Sequence, residues 1–188
     1  MENPRSLSTP HTIADWQTWE GRWELIHGEA YDMTPAPSVE HQRLSSQLCA
    51  ELYTLLKAGK RHGGSCEVFA APIDLFLPGE ESVYQPDLVV VCDPAKIAPH
   101  GIVGVPDLIV ELLSPSTAAK DLTVKRDAYE AAGVPEYLVA DPTSKTASLF
   151  VLQDGRYAKG IRVEWGGEAK VLKEQVHLVV GEPPAEQA

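Results

Sequence analysis

Two acidic residues lie in or beside apolar stretches of this chain. Asp87 precedes the run Leu88–Val91, and Glu111 lies inside the run Leu108–Leu113. Apolar runs of this length predict strands that are covered on both faces, as in the middle of an α/β sheet. A carboxylate in such a strand loses its hydration and needs a partner, a proton or a metal. Two of them on neighbouring strands therefore predict a site for a hard divalent cation, which prefers oxygen ligands.

A lysine follows Glu111 at a spacing that can bring it back to the same site. Asp121, Lys125 and Tyr129 recur every four residues, so they share one face of a helix predicted over residues 118–132. A lysine near the carboxylates would stabilise negative charge that develops in a transition state. The same spacing also describes an exposed Asp121–Lys125 pair, worth only about 0.3–0.5 kcal/mol. Spacing alone favours the exposed pair.

Length and composition describe a globular chain. Its 188 residues, 44% of them hydrophobic and 23% charged, predict one domain over 1–188 with flexible residues 1–12 and 181–188. No apolar run approaches the roughly 18 residues that span a bilayer, so we expect no membrane partner. The three cysteines form no closely spaced pair, which favours reduced thiols and a cytoplasmic location over disulfides.

The charge balance limits the classes of partner. Lys and Arg number 16 against 27 Asp and Glu residues, which gives a formal net charge of −11. Domains that coat nucleic-acid phosphates are usually basic, so this balance argues against a generic nucleic-acid-binding domain. An enzyme whose acidic site is compensated by a bound metal remains compatible with it.

The elements that must position these residues include strands, hairpins and two longer helices. Apolar patterns of period two predict strands, and a leucine at every third or fourth position predicts the first long helix. The first half of the sequence predicts a hairpin over Trp23–Met33 that turns at His27-Gly28. It then predicts a helix that is capped by Ser38, ends at about Gly59 and buries Leu44, Leu48, Leu52 and Leu55. A strand follows over Glu67–Leu77, with a bulge or edge at Pro72. The second half of the sequence predicts a loop over 93–104, a strand over Pro135–Asp141, a hairpin over 147–163 about Asp154-Gly155, and an edge strand over Val176–Val180.

An ordered set of motifs runs from about residue 16 to residue 151. Its members are Trp23–Glu29, His41, Gln85-Pro86-Asp87, Val110–Thr117, Asp121, Lys125, Tyr129, Gly133–Tyr137 and Asp141. In this order they resemble the Uma-type restriction endonuclease family, a branch of the PD-(D/E)XK nuclease superfamily. The resemblance implies an α/β fold with a restriction-endonuclease-like core. Such a core has a mixed central sheet of four strands flanked by helices, extended here by β-hairpins.

The resemblance also implies a Mg²⁺-dependent endonuclease, with Mn²⁺ as the alternative, that hydrolyses phosphodiester bonds of nucleic acid, expected to be DNA. Asp87, Glu111 and the backbone carbonyl of Leu112 would bind the metal. Lys125 would stabilise charge or position water, and Glu24 would be an accessory carboxylate. The superfamily places its lysine two residues after the acidic residue, where this chain has Leu113, so Lys125 would take its place. Related nucleases pair to cut two strands, which predicts a homodimer.

Several of these residues have a simpler interpretation from the sequence. Glu24 is equally consistent with the surface of a hairpin, whereas His41 is more typical of a residue that caps the first turn of its helix and is solvated there. Gln85 and Tyr129 are more typical of strand pairing and of packing. One local basic cluster, more often the solvated end of a helix than a phosphate contact, comprises Lys57, Lys60, Arg61 and His62.

Two alternatives to a nuclease also stay open. One is a catalytically inactive protein that keeps the nuclease fold for binding or for structure, which the acidic net charge favours. The other is a phosphodiesterase that acts on a substrate other than nucleic acid. Divalent-metal titration and nuclease assays separate the first from an active enzyme, and small phosphodiesters test the second.

Overall fold

The computed structural model describes residues 10–33, 36–60, 64–115 and 117–181 of the protein. Residues 1–9 and 182–188 of the predicted flexible ends, and Arg61 and His62 of the basic cluster, lie outside these ranges. The helices are α1 (Ile13–Trp16), α2 (Val39–Lys60), α3 (Ala118–Lys120) and α4 (Arg126–Ala132), with a 3₁₀ turn at Pro94–Lys96 and a π-helical segment at Asp121–Lys125. The strands are β1 (Trp23–Ile26), β2 (Glu29–Asp32), β3 (Glu67–Ala70), β4 (Leu75–Phe76), β5 (Leu88–Val91), β6 (Ile97–Ala98), β7 (Gly101–Val103), β8 (Leu108–Leu112), β9 (Glu136–Asp141), β10 (Thr146–Gln153), β11 (Arg156–Tyr157), β12 (Ile161–Glu164), β13 (Glu168–Val171) and β14 (Val176–Val179).

A mixed sheet forms the centre of the molecule. Its strands follow the order β11-β10-β9-β8-β5-β3, and β12 also pairs with β10. Strands β8 and β9 are parallel, whereas β5 and β8 are antiparallel. The register pairs Leu88 with Val110, so Asp87 lies opposite Glu111 at the end of the two strands. The predicted α/β class with a mixed central sheet, flanking helices and added hairpins is confirmed.

The two faces of the sheet are covered by different helices. Leu108, Val110 and Leu112 of β8 pack toward α2, which buries its own stripe of leucines there. That stripe is Leu44, Leu48, Leu52 and Leu56, so the prediction of Leu55 is wrong by one position. Ile109 packs on the opposite face with residues of α4. Because strand side chains alternate, Glu111 shares the α4 face with Ile109.

Three segments differ from their prediction. The strand predicted over Glu67–Leu77 is two strands, with a cis peptide between Ala71 and Pro72 dividing β3 from β4. Pro72 has no N–H, so it cannot continue the ladder, and β4 pairs with β7 instead. The loop predicted over 93–104 therefore contains β6 and β7, which are too short for apolar periodicity to reveal. Strand β14 pairs with β13 in a separate small sheet.

The helix that follows β8 changes its winding halfway. Its first turn is α-helical, residues Asp121–Lys125 form a π-helical segment, and α4 continues to Gly133, whose positive φ of 84° ends the helix. A π turn shifts the backbone hydrogen bonds from i→i+4 to i→i+5. The hydroxyl of Tyr137 in β9 donates to the Asp121 carbonyl at 2.9 Å. This bond ties the π-helical segment to the central sheet.

Two cysteines are joined across the edge of the sheet. The register pairs Glu67 of β3 with Val91 of β5, so Cys66 and Cys92 are the next pair across these strands. They form a disulfide, whereas Cys49 is free. The prediction of reduced thiols is wrong for Cys66 and Cys92, because it considered their spacing in sequence and not the strand register. The cytoplasmic location stays a prediction.

Cys66→Ser should lower the free energy of unfolding by roughly 3 kcal/mol, because the cross-link closes a long loop and restricts the unfolded chain. Urea unfolding without reductant measures the change, and Cys49→Ser is the matched control. Thiol titration of the unfolded parent without reductant should detect Cys49 alone. Detection of all three thiols would contradict the disulfide.

Candidate active site

Glu24 is a buried carboxylate at the centre of the candidate site. Backbone hydrogen bonds between Leu25 and Val83 hold β1 against the segment that precedes Asp87. Glu24 Oε1 accepts the backbone N–H of Gln85 at 2.8 Å, and its side chain has no exposed surface. The interpretation of Glu24 as a hairpin surface residue is therefore wrong.

The ammonium of Lys125 joins three carboxylates. It lies 2.7 Å from Glu24 Oε1, 2.8 Å from Glu111 Oε1 and 3.6 Å from Asp121 Oδ1. The Lys125 side chain is only 2% exposed. The exposed Asp121–Lys125 pair that spacing alone favours is thus replaced by a buried cluster.

Asp87 and Glu111 meet where β5 begins and β8 ends. Asp87 Oδ2 accepts the backbone N–H of Leu112 at 2.8 Å, and Glu111 Oε2 lies 3.4 Å from the backbone nitrogen of Asp87. The other oxygen of Glu111 accepts the hydroxyl of Tyr129 at 3.1 Å. Tyr129 therefore does more than pack, because it fixes one oxygen of Glu111.

His41 approaches the same oxygens from α2. Its Nε2 is 3.3 Å from Asp87 Oδ2, and its Nδ1 is buried without a hydrogen-bond partner in the described part of the chain. Burial lowers the pKa of His41, but hydrogen bonds to the Asp87 carboxylate and the Leu112 backbone, together with the charge of Asp87, raise it above its ordinary value. His41 thus faces the site and is not a solvated residue of the first helical turn.

Gln85 contacts the site through its backbone, whereas its side-chain amide binds other residues. Its Nε2 donates to Asp74 Oδ1 at 2.8 Å, and its Oε1 accepts from Arg22 at 3.5 Å. The backbone N–H of Gln85 is the group that reaches Glu24. Within the described part of the basic cluster, Lys57 contacts the exposed Tyr53, away from these residues.

Lys120 is a site residue that the sequence analysis missed. Its ammonium binds Glu24 Oε2, lies 5.0 Å from the centre of the Tyr31 ring, and belongs to a side chain that is 14% exposed. The helical spacing of Asp121, Lys125 and Tyr129 leaves Lys120 on another face of an ideal α-helix. A π-helical segment has no clear signature in one sequence, so no signal pointed to this lysine.

The carboxylates differ in how readily they ionise. Burial raises the pKa of Glu24, but the charges of Lys125 and Lys120 outweigh burial and bring it below its ordinary value. Burial raises the pKa of Glu111 well above its ordinary value, and the charge of Lys125 only partly offsets this. Burial likewise raises the pKa of Asp121. Burial lowers the pKa of Lys125, but the charges of its carboxylate partners keep it well above its usual range.

The donors at this site suit a hard cation. Among the described residues, no group of three or more His, Cys, Asp or Glu side chains is arranged to hold a metal ion. The oxygens at the edge of this cluster belong to Asp87, which is 19% exposed, and to Glu111 Oε2, and the Leu112 backbone, which hydrogen-bonds His41, lies beside them. If all four carboxylates were ionised, the two ammonium groups would leave two negative charges, which one divalent cation would balance. These carboxylates are Glu24, Asp87, Glu111 and Asp121. Oxygen donors and charge therefore both fit Mg²⁺ or Mn²⁺.

Glu111→Gln should make the stability of the metal-free protein less dependent on pH. The pKa of Glu111 is raised in the folded state. Its contribution to the free energy of unfolding is therefore full below its ordinary pKa and is lost as the pH rises through the raised value. Each unit of that rise corresponds to about 1.4 kcal/mol. Glutamine can still accept hydrogen bonds from Lys125 and Tyr129 but carries no charge. We expect the variant to lose less stability than the parent between about pH 5 and about pH 8.

Urea unfolding in EDTA measures this difference. Glu20→Gln is the matched control, since Glu20 is exposed and takes part in none of the carboxylate contacts described above. An equal loss of stability in the parent and in Glu111→Gln over this pH range would contradict the raised pKa.

Known proteins share both the sequence pattern and the fold. Two uncharacterized proteins of Synechocystis are similar to this chain. One is 29% identical over 74% of the chain and 73% of its own length. The other is 32% identical over 63% of the chain and 65% of its own length.

None of the helices in the described ranges combines the length and apolar character that crossing a bilayer requires.

A solved structure shares the architecture. It is described as a "putative nuclease belonging to DUF820" from Anabaena variabilis, with a TM-score of 0.69 and 17% identity over 91% of this chain and 96% of that chain. This likeness establishes the restriction-endonuclease-like fold. Residues 12–171 match the Uma2 family, which is described as "Putative restriction endonuclease". The match covers most of the sequence and confirms the resemblance drawn from the motifs, so the chain belongs to the Uma2 family.

Proposed function

We propose that this protein is a metal-dependent endonuclease that hydrolyses phosphodiester bonds of nucleic acid, with DNA as the expected substrate. The observation that carries the proposal is the meeting of Asp87 and Glu111 beside the buried ammonium of Lys125. The descriptions of the family and of the Anabaena structure agree with this chemistry. The acidic net charge agrees with a site that is balanced by a cation.

The metal would be held by Asp87, Glu111 and the backbone carbonyl of Leu112. A divalent cation there, Mg²⁺ or in its place Mn²⁺, would polarise a phosphate oxygen and lower the pKa of a water. Lys125 supplies positive charge beside the carboxylates, and Glu24 holds Lys125 in place at 2.7 Å.

The reaction consumes one water for each bond that breaks. The water oxygen bonds to phosphorus while the ester P–O bond breaks, and the leaving oxygen ends as an alcohol with one proton of that water. The other product is a phosphomonoester. Groups that supply positive charge at the phosphate stabilise the charge that develops during this displacement.

Asp87→Asn and Glu111→Gln should abolish metal affinity and cleavage together, because each removes a carboxylate ligand. Lys125→Ala keeps both carboxylate ligands, so it should keep most metal affinity, but it should unfold at a lower urea concentration because three buried carboxylates lose their counter-ion. Its cleavage rate should fall roughly 10²–10³-fold, since the site loses a positive charge and the carboxylates lose the group that positions them. Calorimetric titration with Mg²⁺ and Mn²⁺ and cleavage of double-stranded DNA, single-stranded DNA and RNA measure both properties. Asp127→Asn is the matched control, because its exposed side chain contacts only Arg126 in the described part of the chain.

The outcomes separate the alternatives. Parental metal affinity in Asp87→Asn would show that the site is wrong. Metal binding without cleavage of any nucleic acid would favour the inactive binding protein. Cleavage of bis(p-nitrophenyl) phosphate alone would favour a phosphodiesterase with another substrate.

The protein is also proposed to act as a homodimer. Hairpins near both ends of the chain and aromatic residues near its start offer surfaces for symmetric pairing, and a dimer would place two sites on two strands. Light scattering at micromolar concentration should give twice the mass of the 20.5 kDa chain. A mass equal to one chain would contradict the dimer.

A further inference from the structure

Two lysines bind the two oxygens of one carboxylate. Lys125 contacts Glu24 Oε1, and Lys120 contacts Glu24 Oε2. Both lysines come from the helix that follows β8, five residues apart. They differ in what else they bind and in how far they are exposed.

The ammonium of Lys125 is enclosed by acidic side chains. It lies 2.7 Å from Glu24 Oε1 and 2.8 Å from Glu111 Oε1, and Asp121 Oδ1, at 3.6 Å, has no hydrogen-bond partner in the described part of the chain. Only 2% of the side chain is exposed. A move toward a phosphate would leave buried carboxylates without their counter-ion, which is strongly unfavourable.

Lys120 lies in the opposite situation. It binds one carboxylate oxygen and the face of the Tyr31 ring, and 14% of its side chain is exposed. Two of its N–H donors therefore have no hydrogen-bond partner among the described residues. Glu24 would stay paired if Lys120 turned away, because Lys125 and the Gln85 backbone still bind Oε1.

We propose that Lys120 contacts the substrate phosphate, whereas Lys125 is a positioning residue that holds Glu24, Glu111 and Asp121 together. This assignment rests on the proposed function, since it concerns the same site. Lys120 donates to a non-bridging phosphate oxygen while Glu24 keeps hold of its ammonium. The aromatic face of Tyr31 holds Lys120 at the solvent-exposed edge of the site through a cation–π contact.

Two other basic side chains lie near this cluster but outside it. Arg22 is exposed and donates to Gln85 Oε1 at 3.5 Å, and His41 faces Asp87 at 3.3 Å. Among the described lysines and arginines, Lys120 is the one that combines contact with the buried cluster and exposure to solvent.

The test compares Lys120→Met, Lys120→Arg and Lys125→Met with the parent and with Lys170→Met, whose exposed lysine lies on β13 away from the site. Methionine keeps most of the aliphatic length and removes the charge. The measurements are urea unfolding, calorimetric Mg²⁺ binding, steady-state cleavage, and the salt dependence of oligonucleotide binding with Ca²⁺ in place of Mg²⁺.

Lys120→Met should lose much less stability to urea than Lys125→Met, because Lys125 still pairs with Glu24, and it should bind Mg²⁺ with parental affinity. Its kcat/KM should fall roughly 10²-fold. The slope of log affinity against log salt should become shallower by about 0.7–0.9, the value for one lost phosphate contact. Lys120→Arg should recover most of both losses, because a guanidinium also donates to phosphate. Lys125→Met should instead unfold at a clearly lower urea concentration.

Failure of this assignment differs from failure of the proposed function. Parental kcat/KM and parental salt slope in Lys120→Met, with a cleaving parent, would overturn the role of Lys120 alone. A parent that binds oligonucleotide without cleaving it would overturn the endonuclease, while the salt slope would still decide the contact. A parent that neither binds nor cleaves would overturn both.

Discussion

The buried ammonium of Lys125 is the group on which this structure depends. It binds Glu24 of β1, Glu111 of β8 and Asp121 of the π-helical segment. Removing one partner of a buried ion pair costs about 3–5 kcal/mol, because the charge that remains has no counter-ion and no water. Glu24 of β1 is far in sequence from Glu111 and Asp121, which lie on β8 and on the helix that follows it. Their shared counter-ion therefore fixes the N-terminal hairpin and the helix over the end of the central sheet.

Charge at this site is balanced locally and not by the whole molecule. The formal net charge of −11 repels a polyanion, but salt screens exposed charges beyond about 8 Å at physiological ionic strength. Within that distance, the ammonium of Lys120 and the proposed cation would attract a phosphate. We therefore expect a protein that binds nucleic acid mainly through its active site, with little contribution from the remaining surface.

The sequence predicts the part of this site that lies on strands. Glu111 lies inside an apolar run and Asp87 directly precedes one, and a carboxylate at such a position has few explanations other than a site. The part that depends on packing between distant elements is not predictable in the same way. Burial of Glu24 depends on how β1 meets the segment before Asp87, and the disulfide of Cys66 with Cys92 depends on strand register. Local patterns carry neither kind of information.

The helix that follows β8, and not β8 itself, supplies the lysines of this site. A lysine at position 113 would share a face with Glu111, but Leu113 packs into the core there. Residues five apart on an α-helix differ in direction by about 140°, whereas the i→i+5 bonding of a π-helical turn sets them beside each other. The π-helical segment therefore lets Lys120 and Lys125 bind the same carboxylate of Glu24. It buries Lys125 among carboxylates and leaves Lys120 partly exposed at the edge of the site.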